Sequence, residues 1–466
     1  MRRRALEPGK ERKQKEPMEE TCSEQNFFGT ARIGTILWKI APPVMLAQLI
    51  QALYNVVDSF FVGHYSDDAL TAVTVIYPLQ LVIVALAVGT GVGVNTYMAR
   101  KYAHGEERKA NGAAGIGMVL ELLSWAVFAA VSLLIMRPYV RTSATEAAAV
   151  DQAVCYGRIV CVGSLGIFLE SNWSKVHQAR GNMRLPMIAQ VLGALTNVVL
   201  DPVLIFGLGP LPELGIAGAA YATVIGQCLA ALIVGVRGFC LPPDWTELRH
   251  YAGRIYYYGY SSIFMQMLYT VYIAALNMIL AGFSDAAVTV LGLYYKMQSF
   301  FFIPLFGLQT CIVPVLSFNY ARAAYGRCRE VMRQSLLISL AFMTAGTVCF
   351  LFFPEPILRL FSDSPQVLSI GRTAFPIIGS SFFAAVFSLM MPVFFQAIGD
   401  GVTSMFLSLL RQIVLLVPVF WLMSKIGLGY TWLAFPMAEV VSGTIGMLLY
   451  RCRLCSWRAE APGPRP

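Results

Sequence analysis

The sequence predicts an all-α polytopic membrane protein: twelve transmembrane helices in two six-helix bundles related by a pseudo-two-fold axis along the membrane normal. Three observations predict it. Of 466 residues, 57% are hydrophobic and only 13% charged, a balance too apolar for a water-soluble protein of this size. The apolar residues gather in roughly twelve runs, each long enough to cross a hydrocarbon core about 30 Å thick. The second half of the chain also repeats the first.

A window of about 19 residues places the runs at 38–62, 70–97, 112–136, 152–178, 185–207, 215–236, 257–282, 287–318, 331–353, 372–398, 403–423 and 430–450. Only helices and closed barrels satisfy the backbone in lipid, and the alternating pattern of barrel strands is absent. In the first run, Pro42 and Pro43 either mark the helix start or bend the helix. The small residues of AVGTGVGV (87–94) in the second run and GIAGAA (215–220) in the sixth suit close helix packing. The first run is too long and lies too far in for a cleaved signal peptide.

Loop charge sets the orientation. With residues 1–39 in the cytoplasm, the inside segments hold 26 of the 35 Lys and Arg, and the outside loops hold five. The expected organisation is a polar cytoplasmic tail (1–30), an N-terminal six-helix lobe (31–236), a cytoplasmic linker with Pro242 and Pro243 (237–256), a C-terminal lobe (257–452) and a second cytoplasmic tail (453–466). The net charge of +9 is mostly this topology signal, so nucleic acid is not expected as a partner.

Three stretches pair across the halves. YMARKYAHGEERKA (97–110) resembles NYARAAYGRCREVM (319–332) at a shift of 222. QARGNMR (178–184) resembles QAIGDGV (396–402), and HYSDDALTAV (64–73) resembles GFSDAAVTVL (282–291), both at 218. Six helices per unit is an even number, so both halves share one orientation and a path can run between them. A doubled channel or membrane enzyme would fit the same pattern. The four His are scattered, no P-loop appears, and CRLC (452–455) has no second ligand pair, so neither a metal hydrolase nor an ATP-driven pump is indicated. The ten Cys include five inside apolar runs, where Cys acts as a small hydrophobe. No cofactor is expected, and transport would run on an ion gradient.

Ionisable residues inside the membrane are costly enough to be functional candidates. Asp58, Glu121, Glu170, Asp201 and Glu439 are the clearest. At 1.5 Å per residue, Asp58 lies about 27 Å and Asp201 about 24 Å from the inner ends of their runs, at matching depth. Asn197 shares a face with Asp201, while Gln51, Asn55 and Asp58 form a stripe at i, i+4 and i+7. At a shift of 218, Asp58 falls on Leu276 and Asp201 on Val419, so the second half lacks both acids. A site confined to one lobe predicts this asymmetry; fold maintenance does not. Burial disfavours a charged carboxylate and a second acid nearby disfavours it further, so such a pair can hold and release a proton. Two carboxylates with Asn and Thr oxygens would equally suit sodium, with Asp58, Asp201 and Asn197 as ligands. Glu121, Glu170 and Glu439 could instead snorkel, pair with Lys175 or Arg411, or line the path, to which Lys296 is a further candidate. His177 is expected at the interface.

QALYNVVDSFFVGHYSDDALTAV (51–73), NVVLDPVLIFGLG (197–209) with GIAGAAYAT (215–223), QARGNMRLPM (178–187), FGLQTCIVPVLSFNYARA (306–323) and FLSLLRQIVLLVPVFWL (406–422) resemble, in order, the multidrug and toxic compound extrusion (MATE) transporters. The resemblance covers roughly residues 30–455 and lies closest to the DinF-type branch. It implies two bundles in a V, a monomer in the plasma membrane of a bacterium, and export of cationic, amphipathic small molecules in exchange for protons or sodium. It implies a cation site in the N-terminal lobe built from Asp58, Asn197, Asp201, Thr223 and Tyr156, with Pro43 as the bending proline of helix 1. The family's helix 4 Asn falls on Ser171 here, beside Glu170, a departure that affects the ligand set and the choice of ion. A lipid-linked precursor flippase of the same superfamily is the alternative. It would be expected to have a strongly basic central cavity, and only Lys296, Arg411 and Lys175 are available for one.

Overall fold

Helices begin and end at turns that recur in both halves of the chain. The computed structural model describes residues 27–460 apart from 142–146, 208–211, 244, 360 and 362–363, so the predicted tails lie mostly outside the described residues. The first six spans are α1 (Ile33–Tyr65), α2 (Asp67–Ala103), α3 (Glu107–Arg141), α4 (Ala147–Gly163 and Leu165–Ala179), α5 (Arg184–Ile205) and α6 (Ile216–Gly238). The next six are α7 (Leu248–Ala281), α8 (Asp285–Phe301 and Ile303–Ala321), α9 (Tyr325–Phe352), α10 (Pro365–Gly379 and Phe382–Ala397), α11 (Gly401–Ser424) and α12 (Ala434–Glu460). Eleven helices among the described residues are long and apolar enough to cross a membrane, and the two arms of α10, bent by 56°, make a twelfth. Large apolar side chains such as Trp38, Leu134, Val236 and Met278 stand on the outer surface, as lipid contact requires.

Four spans differ from the uninterrupted runs expected. α4 breaks at Ser164, α8 at Phe302 and α10 at Ser380–Ser381, while α11 carries a π-turn over Leu410–Leu416. Pro42 and Pro43 lie well inside α1 rather than at its start. The second half of the expected linker, from Leu248 on, belongs to α7. His177, expected at the interface, is buried with its ring Nε2 3.0 Å from the Val234 carbonyl oxygen.

Turn geometry tests the duplication directly. Ser66 and Ser284 are both extended N-caps whose hydroxyls accept from the backbone N–H three residues on. After α4 and α10, Gly181 and Gly399 have φ of +89° and +82°, and their N–H groups bond back to Gln178 and Gln396. After α2 and α8, Gly105 and Ala323 have φ of +73° and +54°, bonding back to Tyr102 and Tyr320. In all three pairs the shift is 218. The shift of 222 read for the 97–110 stretch is therefore corrected by four. A slip of about one helical turn keeps side chains on the same face, which is why the letters still matched.

The bundles meet where backbones touch. α2 packs on α7 and α1 on α8. A Cβ at Gly89 would strike Ile263, one at Gly93 the Ile255 carbonyl oxygen, and one at Gly307 the side chain of Met45. Gly89 with Ile263 and Gly307 with Met45 are one contact seen twice, since the shift of 218 carries Gly89 onto Gly307 and Met45 onto Ile263. That reciprocity is the mark of a two-fold relation.

Gly93→Val should wedge this crossing open and lower the stability of the purified protein by roughly 1–3 kcal/mol. Gly253→Ala, where an added Cβ meets nothing within 4 Å, should show no loss in the same thermal melt. Ala323 holds a left-handed conformation that glycine adopts without strain. Ala323→Gly should therefore raise the melting temperature, by an amount corresponding to about 0.5–1 kcal/mol.

Candidate functional site

Asp58 on α1 and Asp201 on α5 come together inside the N-terminal bundle, close enough for their carboxyl groups to interact. Both come from helices that pack side by side. Asp201 is fully buried, and Asn197, one turn earlier, donates from Nδ2 to its Oδ1 at 3.2 Å. The same amide lies 3.4 Å from Thr223 Oγ1 on α6. α5 and α6 approach closely because Gly193 and Gly226 put backbone against backbone, and this draws Thr223 into reach. Three oxygens of the cluster, Asp58 Oδ1, Asp201 Oδ2 and Asn197 Oδ1, are buried with no hydrogen-bond partner. Buried acceptors without donors are rare in folded proteins, and they suit a proton or a hard cation. The described residues hold no group of three or more His, Cys, Asp and Glu arranged for a metal ion.

Beside the pair is a cavity of about 110 Å³ lined by Gln51, Tyr54, Glu170, Gln190, Asn197 and Thr223, among others. Glu170 accepts from Ser174 Oγ at 2.6 Å and lines this cavity beside Gln190. Gln51 lines a second, larger cavity of about 440 Å³ between the bundles, together with Lys175, Tyr269 and Gln309. Gln51 thus stands where the central space meets the N-terminal pocket. Tyr156 is buried within electrostatic reach of both acids, and its hydroxyl accepts from Gln80 at 3.3 Å.

The structure brings together Asp58, Asp201, Asn197, Thr223 and Tyr156, with Glu170 and Gln51 one step away. Other candidates fall elsewhere. Ser171 donates its hydroxyl to the Ala87 carbonyl oxygen at 2.9 Å, tying α4 to α2, and lines neither cavity. Asn55 is exposed and lines neither cavity, so the Gln51–Asn55–Asp58 stripe does not face one space. Lys296 is exposed on α8 and away from the path. Pro43 lies within α1, fifteen residues before Asp58. Arg411 and Glu439 form a buried ion pair in the C-terminal bundle, Nη2 to Oε1 at 2.6 Å. Glu121 is buried on α3 with neither carboxyl oxygen partnered.

Sequence reasoning missed Tyr54, Gln80 and Gln190. Tyr54 was within reach, since it sits one turn before Asp58. It also placed Val419 opposite Asp201. The π-turn adds one residue to α11, so the buried positions Asn197 and Asp201 correspond to the buried Leu416 and Phe420, at a shift of 219. The C-terminal bundle still lacks both acids: Leu276 and Phe420 fill their places.

The MatE family model matches residues 43–203 and again 261–422, so the two matches are offset by 218 at their starts and 219 at their ends. The chain is 24% identical over 429 residues to an FAD transporter of Shewanella oneidensis, covering 89% of this chain and 93% of that one. It is 25% identical over 440 residues to a probable multidrug resistance protein NorM of Thermotoga maritima, covering 89% and 91%. Among solved structures, a MOP superfamily transporter from Pyrococcus furiosus superposes with a TM-score of 0.86 at 23% identity, over 93% of this chain and 98% of that one. A MATE transporter in its outward-facing conformation superposes at 0.85, with 23% identity, over 91% and 96%. The chain belongs to the MatE family, whose members are membrane transporters and not enzymes.

Proposed function

We propose that the protein is a secondary antiporter of a bacterial plasma membrane, with both termini in the cytoplasm, which exports cationic amphipathic compounds against an inward flow of protons through the N-terminal bundle. The observation that carries this reading is the contact between Asp58 and Asp201. Two carboxyls this close repel when both are charged, so a single proton shared between them would relieve two like charges side by side. The relatives named for multidrug resistance and export support the substrate class.

In this cycle the pair takes up a proton from outside. Loss of the repulsion between α1 and α5 draws α1 inward, and Pro42 and Pro43, which cannot donate to the carbonyls four residues before them, let the helix bend. Substrate leaves the central cavity, the inner side of the protein opens, and the proton is released there. One charge moving down 100 mV supplies about 2.3 kcal/mol, and one pH unit about 1.4 kcal/mol. Sodium is the second reading, favoured by the unpartnered oxygens of Asp58, Asp201 and Asn197 beside Thr223. A precursor flippase is disfavoured, because Lys175 is the one cationic side chain among the described residues lining the central cavity.

Vesicles containing the protein should expel a cationic dye under an inward proton gradient, and Asp58→Asn or Asp201→Asn should each slow that efflux by at least about tenfold, equivalent to ~1.4 kcal/mol. Normal pumping by both variants would refute the site. Efflux that needs a sodium gradient, and that Thr223→Val also abolishes, would replace the proton with sodium.

A further inference from the structure

The duplication repeats the N-terminal pocket, and with inverted polarity. Gln51, Tyr54, Glu170, Gln190, Gly193 and Ala194 line the cavity beside the acid pair. Their counterparts at the shift of 218, Tyr269, Tyr272, Ser388, Ser408, Arg411 and Gln412, all line a second cavity of about 150 Å³ in the C-terminal bundle. An acid has become a hydroxyl, and two small residues have become a guanidinium and an amide. With Leu276 and Phe420 in place of the two aspartates, no carboxylate lines this copy.

The π-turn makes the exchange possible. Arg411 and Gln412 keep the register of Gly193 and Ala194, and the added residue lets Leu416 and Phe420 still reach the core beyond them. Helix geometry of this kind recurs at functional sites. Arg411 uses Nε and Nη2 to hold Glu439, which also accepts from Ser388. The pair is thus neutral overall, and Nη1 takes no part in it. Gln412 is only 7% exposed, and its side-chain carbonyl oxygen has no hydrogen-bond partner. The rings of Tyr269 and Tyr272 meet edge to face, 5.5 Å between centroids, as an aromatic wall. Tyr269 and Gln309 line the central cavity as well, so the pocket adjoins the path.

We infer that this C-terminal pocket is a second substrate site, which receives an oxygen acceptor, carboxylate or carbonyl, carried by an aromatic compound, with Arg411 donating to that oxygen and Gln412 accepting from a neighbouring donor. The inference rests on the transport reading and deepens it: a substrate would carry an acceptor group as well as its positive charge.

Three dyes with one tetramethylxanthylium core separate the possibilities: tetramethylrhodamine (a carboxylate), its methyl ester (a carbonyl) and pyronin Y (neither). Binding is read by fluorescence polarisation on the purified full-length protein. Arg411→Met/Glu439→Leu removes both charges together, because removing one alone would strand the other in the core. It should weaken tetramethylrhodamine by about tenfold and leave pyronin Y within about twofold, a difference near 1.4 kcal/mol. Gln412→Leu, which keeps the ion pair, should weaken tetramethylrhodamine by about threefold. Loss for acid and ester alike assigns carbonyl recognition; loss for the acid alone assigns the carboxylate. Unchanged binding of the acid in both variants, equal loss for all three dyes, or no binding of the acid by the wild type overturns the inference and makes the ion pair a structural tie. Efflux of pyronin Y by wild-type vesicles tests the antiport reading separately.

Discussion

Backbone contact between the two bundles is the constraint from which the remaining arrangement follows. At Gly89, Gly93 and Gly259, α2 and α7 approach until no side chain fits between them, and Gly307 repeats the contact against α1. In lipid there is little hydrophobic force to press helices together, so close packing must do that work. The crossing in turn holds the central cavity at a fixed place, bounded by Gln51 and Lys175 on one side and Tyr269 and Gln309 on the other. It gives each bundle one pocket opening toward that cavity.

The two pockets differ in chemistry although their backbone repeats. Symmetry of the backbone is kept closely, down to cap hydrogen bonds and left-handed turns that recur at one constant shift. Symmetry of charge is abandoned. One pocket has Glu170 and the two aspartates beside it, the other an Arg–Glu pair and no aspartate.

Much of this was legible from residues alone. The twelve runs are real helices because length and apolarity are what lipid demands. The acid pair was legible because charge in an apolar run is conspicuous, and helix rise fixes its depth. The breaks at Ser164, Phe302 and Ser380–Ser381 were not legible, since a hydropathy window averages across a bend that leaves both arms apolar. The bond of Ser171 was not legible for a different reason: a position in a family pattern does not say which carbonyl a hydroxyl will find, and here it finds Ala87. The register change in α11 was invisible because a wide turn has no characteristic residue.

That wide turn also alters what a deletion would mean. Each residue of an α-helix advances the chain by about 100° around the axis. Losing one residue from a regular stretch would swivel everything after it, but losing one between Leu410 and Leu416 would let the wide turn close to an ordinary one and leave Phe420 facing the core. At this one place the helix tolerates a change in length without a change in which side chains look inward.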